Sequence, residues 1–136
     1  MIVLDSSILV AIVKGEDGSG DLLKLLAAEE SAIGSPTLVE TRAWCVMNLA
    51  GRMSRWLEDF IDRESVAVVP FSRDMADVAS QAFTRFGKGS GHPARLNFGD
   101  CMAYAVSAVM RAPLLFKGGD FGHPDVFMHS ASIYGL

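Results

Sequence analysis

The chain has little of what usually builds soft-metal cages and covalent cross-links. It contains 2 cysteines and 3 histidines in 136 residues. Cys45 and Cys101 lie far apart, form no CxxC pair and have no histidine at ligand spacing, so buried free thiols are expected rather than a zinc site or a disulfide framework. No apolar run approaches the roughly 18 residues that a bilayer span needs. The opening "MIVLDSSILVAIV" carries an acid where a secretory signal carries basic charge, so a cytoplasmic protein with no membrane association is expected. An excess of positive charge is also missing. With 12 Lys and Arg against 16 Asp and Glu the net charge is −4, so contact with a polyanion needs local basic positions or a bridging cation. No GxGxxG follows the first apolar run, which disfavours a dinucleotide-binding domain.

What is present reads as one globular domain over residues 1–136. Half the residues are hydrophobic and 21% are charged, a composition that folds around a core. "IVLD" reads as a strand ending at Asp5, followed by an apolar helix that stops at Gly15. A second helix at "DLLKLLAAEE" leads to a short strand, "SAIGS". Ser35 as N-cap and Pro36 at the first helical position then predict a helix to about Gly51. "SRWLEDFIDR" is helical, "VAVVP" reads as a buried strand, and "SRDMADVASQAFTRF" is a helix capped by Ser72 and stopped by Gly87. The Gly-rich "GKGSGHPAR" is a loop. An apolar helix from Phe98 to Arg111, with Asn97 as N-cap, precedes the strand "PLLF", a turn-rich "KGGDFGHPD" and a tail, "SIYGL", that could add an edge strand. Strands alternate with helices and are continuous apolar runs. The fold class expected is α/β, with a mostly parallel sheet sandwiched between helices.

Four acids stand out from this apolar frame. Asp5 sits at the carboxyl end of the first strand, where open α/β sheets form ligand crevices, although an Asp there also serves as a helix cap. Glu40 has Trp44 and Met47 at i+4 and i+7, which predicts the packed side of its helix, with Arg42 on another face. A buried carboxylate is costly unless a cation or metal pairs with it. Asp100 falls at the third helical position after Asn97, favourable for the helix dipole in its own right, yet at the mouth of a central helix. Asp120 follows "LLF" and a flexible "KGG", again at a strand exit, and Asp125 lies in the same loop. Strand exits of a parallel sheet share one side of the domain, so these carboxylates can converge. Like charges at close range need a neutraliser. Without Cys or His in the group, a hard divalent cation, Mg²⁺ or Mn²⁺, is the expected one.

The stretches "IVLDSSILVAIV", "SPTLVETRAW", "RLNFGDCMAYAVS" and "LLFKGGDFGHPDV" resemble, in order and spacing, the acidic motifs of the PIN-domain ribonucleases, and specifically the VapC toxins of toxin–antitoxin systems. The resemblance runs from residue 2 to about residue 126. It implies a Mg²⁺-dependent endoribonuclease, with Mn²⁺ able to substitute, that cuts transfer RNA or another structured RNA and inhibits translation. It also implies a homodimer and a cognate VapB-type antitoxin. Carried over by residue, it implies that Asp5 and Asp100 are direct metal ligands and that Glu40 and Asp120 orient water or a second ion. Ser7, or Ser6, matches the family's hydroxyl beside the first aspartate. Gly119 stands where the family often has a polar or acidic residue before the fourth acid, which makes Asp120 the loosest match. Lys14, Arg85, Lys88, His92, Arg95 and Lys117 lie in or near loops that could contact phosphates. The region from Leu38 to Trp56, with Trp44, Leu57 and Phe60, offers an apolar surface for a partner or for the core.

Two other classes compete with this reading. A haloacid-type phosphatase also has an aspartate after its first strand, but needs an acid two residues on, where this chain has Ser7. A non-catalytic α/β module that binds RNA or protein would use the acids as caps and surface charge.

Overall fold

Residue alternation in very short strands organises the molecule. The computed structural model describes residues 1–50, 54–119, 121 and 126–132. Among them the order is β1 (Ile2–Leu4), α1 (Ser6–Lys14), α2 (Ser19–Ala28), β2 (Ser31–Gly34), α3 (Ser35–Leu49), α4 (Ser54–Ile61), β3 (Val66–Val69), α5 (Arg73–Phe86), α6 (Phe98–Met110) and β4 (Leu114–Leu115). The four strands form one sheet in the order β3-β2-β1-β4. Every pairing is parallel, with Val3 opposite both Ala32 and Leu114, and Ile33 opposite Val68. This is the expected α/β architecture.

Successive side chains of a strand point to opposite faces, and each face has its own core. Val3, Ala32 and Leu114 pack with Met75, Ala79 and Phe86 of α5 and with Cys101, Ala105 and Val106 of α6. Ile2, Leu4, Ile33 and Leu115 pack with Ile8 and Leu9 of α1, Leu22 and Leu26 of α2, Leu38 and Cys45 of α3, and Leu57 and Phe60 of α4. The sheet is therefore covered by helices on both faces. Both cysteines are free and buried, as expected. No described helix is long and apolar enough to cross a membrane.

Helix ends follow local chemistry. Gly15 takes the left-handed conformation (φ 66°) and returns its N–H to the last turn of α1. Ser72 Oγ accepts the Met75 N–H at 3.2 Å and opens α5. Asn97 opens α6, also as expected.

Several expectations need correction. The cap of α3 is Gly34, so Ser35 already lies inside the helix and Pro36 in its first turn, and α3 ends at Leu49. Gly34 caps without any side-chain hydrogen bond, and the position is glycine for packing, since a Cβ there would stand 2.7 Å from Val106 Cγ2 of α6. β3, expected to be buried, is a sheet edge with Ala67 and Val68 exposed. α6 is not apolar-buried all round, since Phe98 is 72% exposed at its start. The edge strand expected from the tail at Ser132–Leu136 lies, beyond Ser132, outside the described residues. Next to β4 the chain instead bridges at Met128, which pairs in parallel with Leu114.

Candidate active site

Asp5 takes up one of the two roles that the sequence left as alternatives, the helix cap. It caps α1, with Oδ2 accepting the Ser7 N–H at 3.0 Å. Its other oxygen, Oδ1, is buried and has no hydrogen-bond partner. With the residue 3% exposed, burial pushes the carboxyl from 3.8 up to about 6, even though the hydrogen bonds from Ser7 pull it down. The charge of Glu40 adds to the rise, which places that carboxylate within electrostatic reach of Asp5. One carboxylate oxygen thus serves the cap while the other is left buried without a protein partner.

Ser7 ties this corner to the far end of the chain. Its Oγ accepts the N–H of Lys117 at 3.0 Å, just beyond β4. The strand exits of β1 and β4 are thereby fixed to each other at the first turn of α1.

Glu40 lies in the second turn of α3 and is half-buried. The expectation that it shares a packed face with Trp44 and Met47 is corrected, because Met47 is 83% exposed and Trp44 only half-buried. The carboxylate instead reaches sideways to α6 and lies against the Cα of Gly99, where an added Cβ would stand 2.7 Å from Glu40 Cδ. Arg42 does point elsewhere, pairing with Glu58 through Nε at 2.8 Å and Nη2 at 3.1 Å.

Asp100 sits beside that contact at the mouth of α6. Its N–H donates to Asn97 Oδ1 at 2.8 Å, and its Oδ2 accepts the Asn97 N–H at 2.9 Å, a reciprocal capping box. The helix-cap role is thus realised. Among the described residues no three Asp, Glu, His or Cys side chains form a ready-made metal cage. Glu40 lies within electrostatic reach of Asp5, its carboxylate meets Gly99, the residue before Asp100, and Asp120 and Asp125 lie outside the described residues.

The basic positions divide into two groups. Lys14 pairs with Glu16 at 3.0 Å, and Lys117 pairs with the same Glu16. Lys88 and Arg95 are exposed on the loop between α5 and α6, whose base is closed by the Gly87–Leu96 bridge. His92 is engaged in local structure: its Nδ1 accepts the Ala94 N–H at 3.0 Å and its ring meets Phe86 edge-on. Arg85 lies over the same Phe86 ring. Sequence reasoning passed over Glu16 and Gly99. A glycine inside the first turn of an otherwise apolar helix was the available signal for the second, since it costs helix stability without a packing reason.

A parallel sheet covered by helices on both faces, with a buried, half-satisfied aspartate at its first strand exit, defines an α/β protein. The family model described as "PIN domain" matches residues 2–126. Ribonuclease VapC42 of Mycobacterium tuberculosis is 40% identical over 125 residues, covering 91% of this chain and 95% of that protein. Ribonuclease VapC28 of the same organism is 37% identical over 125 residues, covering 91% and 94%. The chain belongs to the PIN-domain family and, within it, to the VapC ribonucleases. Solved structures agree on the fold. The Mycobacterium tuberculosis VapC20, described as a sarcin-ricin loop cleaving toxin, has a TM-score of 0.72 at 20% identity over 90% of this chain and 93% of that one. VapBC2 from Rickettsia felis bound to a promoter DNA fragment gives 0.73 at 22% identity over 95% and 98%.

Proposed function

We propose that the protein is the toxin of a VapBC pair, a metal-dependent endoribonuclease that hydrolyses phosphodiester bonds in transfer RNA or another structured RNA and so inhibits translation. The observation that carries this reading is Asp5 Oδ1, a carboxylate oxygen buried without a partner and within electrostatic reach of a second carboxylate, Glu40, whose charge raises the Asp5 carboxyl further. That arrangement is costly alone and favourable around a cation. The donors are all oxygens, which suits Mg²⁺, with Mn²⁺ as a substitute.

Asp5 and Asp100 are the direct ligands in this reading, and Glu40 and Asp120 orient water. When bound, the cation would supply charge neutralisation at the scissile phosphate and would lower the pKa of a bound water. The chain's own residues prepare the site. Ser7 fixes the orientation of Asp5 through its N–H and holds the β4 exit through its Oγ. The Asn97 N–H holds the Asp100 carboxylate at the mouth of α6. Lys14, Lys88, Arg95 and Lys117 contact phosphates on either side of the cut. The exposed Val39, Val46 and Met47 on α3 support an apolar contact surface for the VapB-type antitoxin or for a second copy in a homodimer.

The test is to incubate the antitoxin-free protein with total transfer RNA in Mg²⁺, in Mn²⁺ and in chelator, alongside Asp100→Asn. Discrete fragments that require the metal and disappear in the variant are expected. Intact RNA in every lane, from folded protein and with several RNA classes tried, would return the acids to caps and surface charge and make the protein a binding module.

A further inference from the structure

Glu40 reaches the site from α3, and its position depends on how closely α3 approaches α6. Two contacts set that approach. Near the start of α3, Gly34 lies against Val106 of α6, where a Cβ would stand 2.7 Å from Cγ2. Two helical turns earlier on the same face of α6, Gly99 lies under the Glu40 carboxylate, with a Cβ placed 2.7 Å from Cδ, 3.0 Å from Oε1 and closer still to Oε2. The two obstacles differ in kind. Val106 is a packed branched side chain at 0% exposure, whereas the Glu40 carboxylate is the far end of a flexible side chain that can swing away without unpacking the core.

We propose that Gly99 is a positioning residue for the carboxylate site: its missing side chain leaves the space against the first turn of α6 that the Glu40 carboxylate occupies. The role rests on the reading of Asp5, Glu40 and Asp100 as a divalent-cation site. A methyl group at Gly99 displaces Glu40 from that space while the sheet and both cores stay intact. The stability effect alone does not decide, because Ala in place of Gly within a helix ordinarily stabilises it. An unimpeded methyl would therefore raise the melting temperature and leave the site alone.

The experiment compares the full chain, Gly99→Ala, Glu40→Ala and the double variant by thermal melting in chelator, by Mn²⁺ titration followed as the rise in melting temperature, and by RNA cleavage. Gly99→Ala is expected to melt in chelator within a few degrees of the parent or above it. Its Mn²⁺ affinity should fall by about 10- to 100-fold, the usual loss when a group that holds a ligand in place is removed, with a parallel loss of cleavage. In the Glu40→Ala background the same glycine change should alter Mn²⁺ affinity by less than about twofold, because its target is gone. Unchanged Mn²⁺ affinity in Gly99→Ala overturns the proposal, and so does an equal loss in both backgrounds. If Gly99→Ala fails to fold, a folded double variant supports the steric contact with Glu40, whereas two unfolded variants overturn it. A parent chain that gains no stability from Mn²⁺ and cuts no RNA removes the cation-site reading itself, and the positioning role with it.

Discussion

At the scale of a residue, the chemistry concentrates in Asp5. Its carboxyl is raised from 3.8 to about 6 chiefly by burial. The folded state therefore disfavours the charged form, and the direction of the pH effect follows. Below the unfolded value the group is protonated in both states and costs nothing. Between the two values the unfolded chain ionises first, so stability falls as pH rises, and above about 6 the full penalty applies. That shift corresponds to about 3 kcal/mol at ~1.4 kcal/mol per pH unit. Asp5→Asn cannot ionise, although its amide leaves a donor where Oδ1 now lies unpaired, which takes back part of the gain. The fixed amide cost cancels when two pH values are compared. In chelator, the stability of Asp5→Asn relative to the parent should improve by about 2 to 3 kcal/mol between pH 4 and pH 8, read from urea midpoints at each pH. A pH-independent difference would mean that Asp5 is solvated. The sequence already marked Asp5 as ambiguous between cap and ligand. It could not show that one oxygen caps while the other is sealed off, because that depends on packing between β1, α1 and α3.

At the scale of an element, α6 carries the sharpest separation of structure from function. Its capping box has two halves with different tasks: the Asn97 side chain satisfies the Asp100 N–H, and the Asp100 side chain satisfies the Asn97 N–H. Asn97→Ala loses an N-cap and should cost about 1 kcal/mol, within the range of about 0.5–2 known for such changes. The Asp100 carboxylate keeps its own backbone bond in that variant, so RNA cleavage should persist. Asp100→Asn keeps an acceptor for the Asn97 N–H and loses the charge at the helix start, a cost of about 0.3–1 kcal/mol, yet should abolish cleavage. Denaturation midpoints and RNA gels on the same pair of proteins check both halves; cleavage surviving in Asp100→Asn would leave the residue as a cap alone. Element boundaries like these were legible where a side chain itself makes the cap, as at Ser72 and Asn97. They were misread at α3, where the cap is Gly34, a residue with no side chain to make a cap bond. The Met47 signal failed similarly: apolar spacing cannot distinguish a core face from an exposed apolar one, and Met47 is exposed.

At the scale of the whole molecule, alternating elements and uninterrupted apolar strands were enough to predict a parallel sheet between two helical layers, but not its order, since β1 lies between β2 and β4 through pairings far apart in sequence. The same long-range placement decides how a chain of net charge −4 can hold RNA. Glu16 offsets part of the charge of both Lys14 and Lys117, whereas Lys88 and Arg95 project from the α5–α6 loop, a few residues before Asp100. If these four cations bind the phosphates, their contributions differ predictably. Lys88→Ala with Arg95→Ala should weaken RNA binding and flatten its salt dependence, the slope of log K against log salt falling by roughly 0.7–0.9 for each phosphate no longer neutralised. Glu16→Gln should act in the opposite direction, tightening binding at low salt by releasing two ammonium groups from their shared carboxylate. Binding of a labelled transfer RNA by the cleavage-deficient Asp100→Asn protein across a salt series measures both slopes without turnover. Parallel slopes with and without the two alanine substitutions would exclude the α5–α6 loop from the RNA path. Weaker binding by Glu16→Gln would mean that Glu16 orders the two lysines for phosphate rather than masking them.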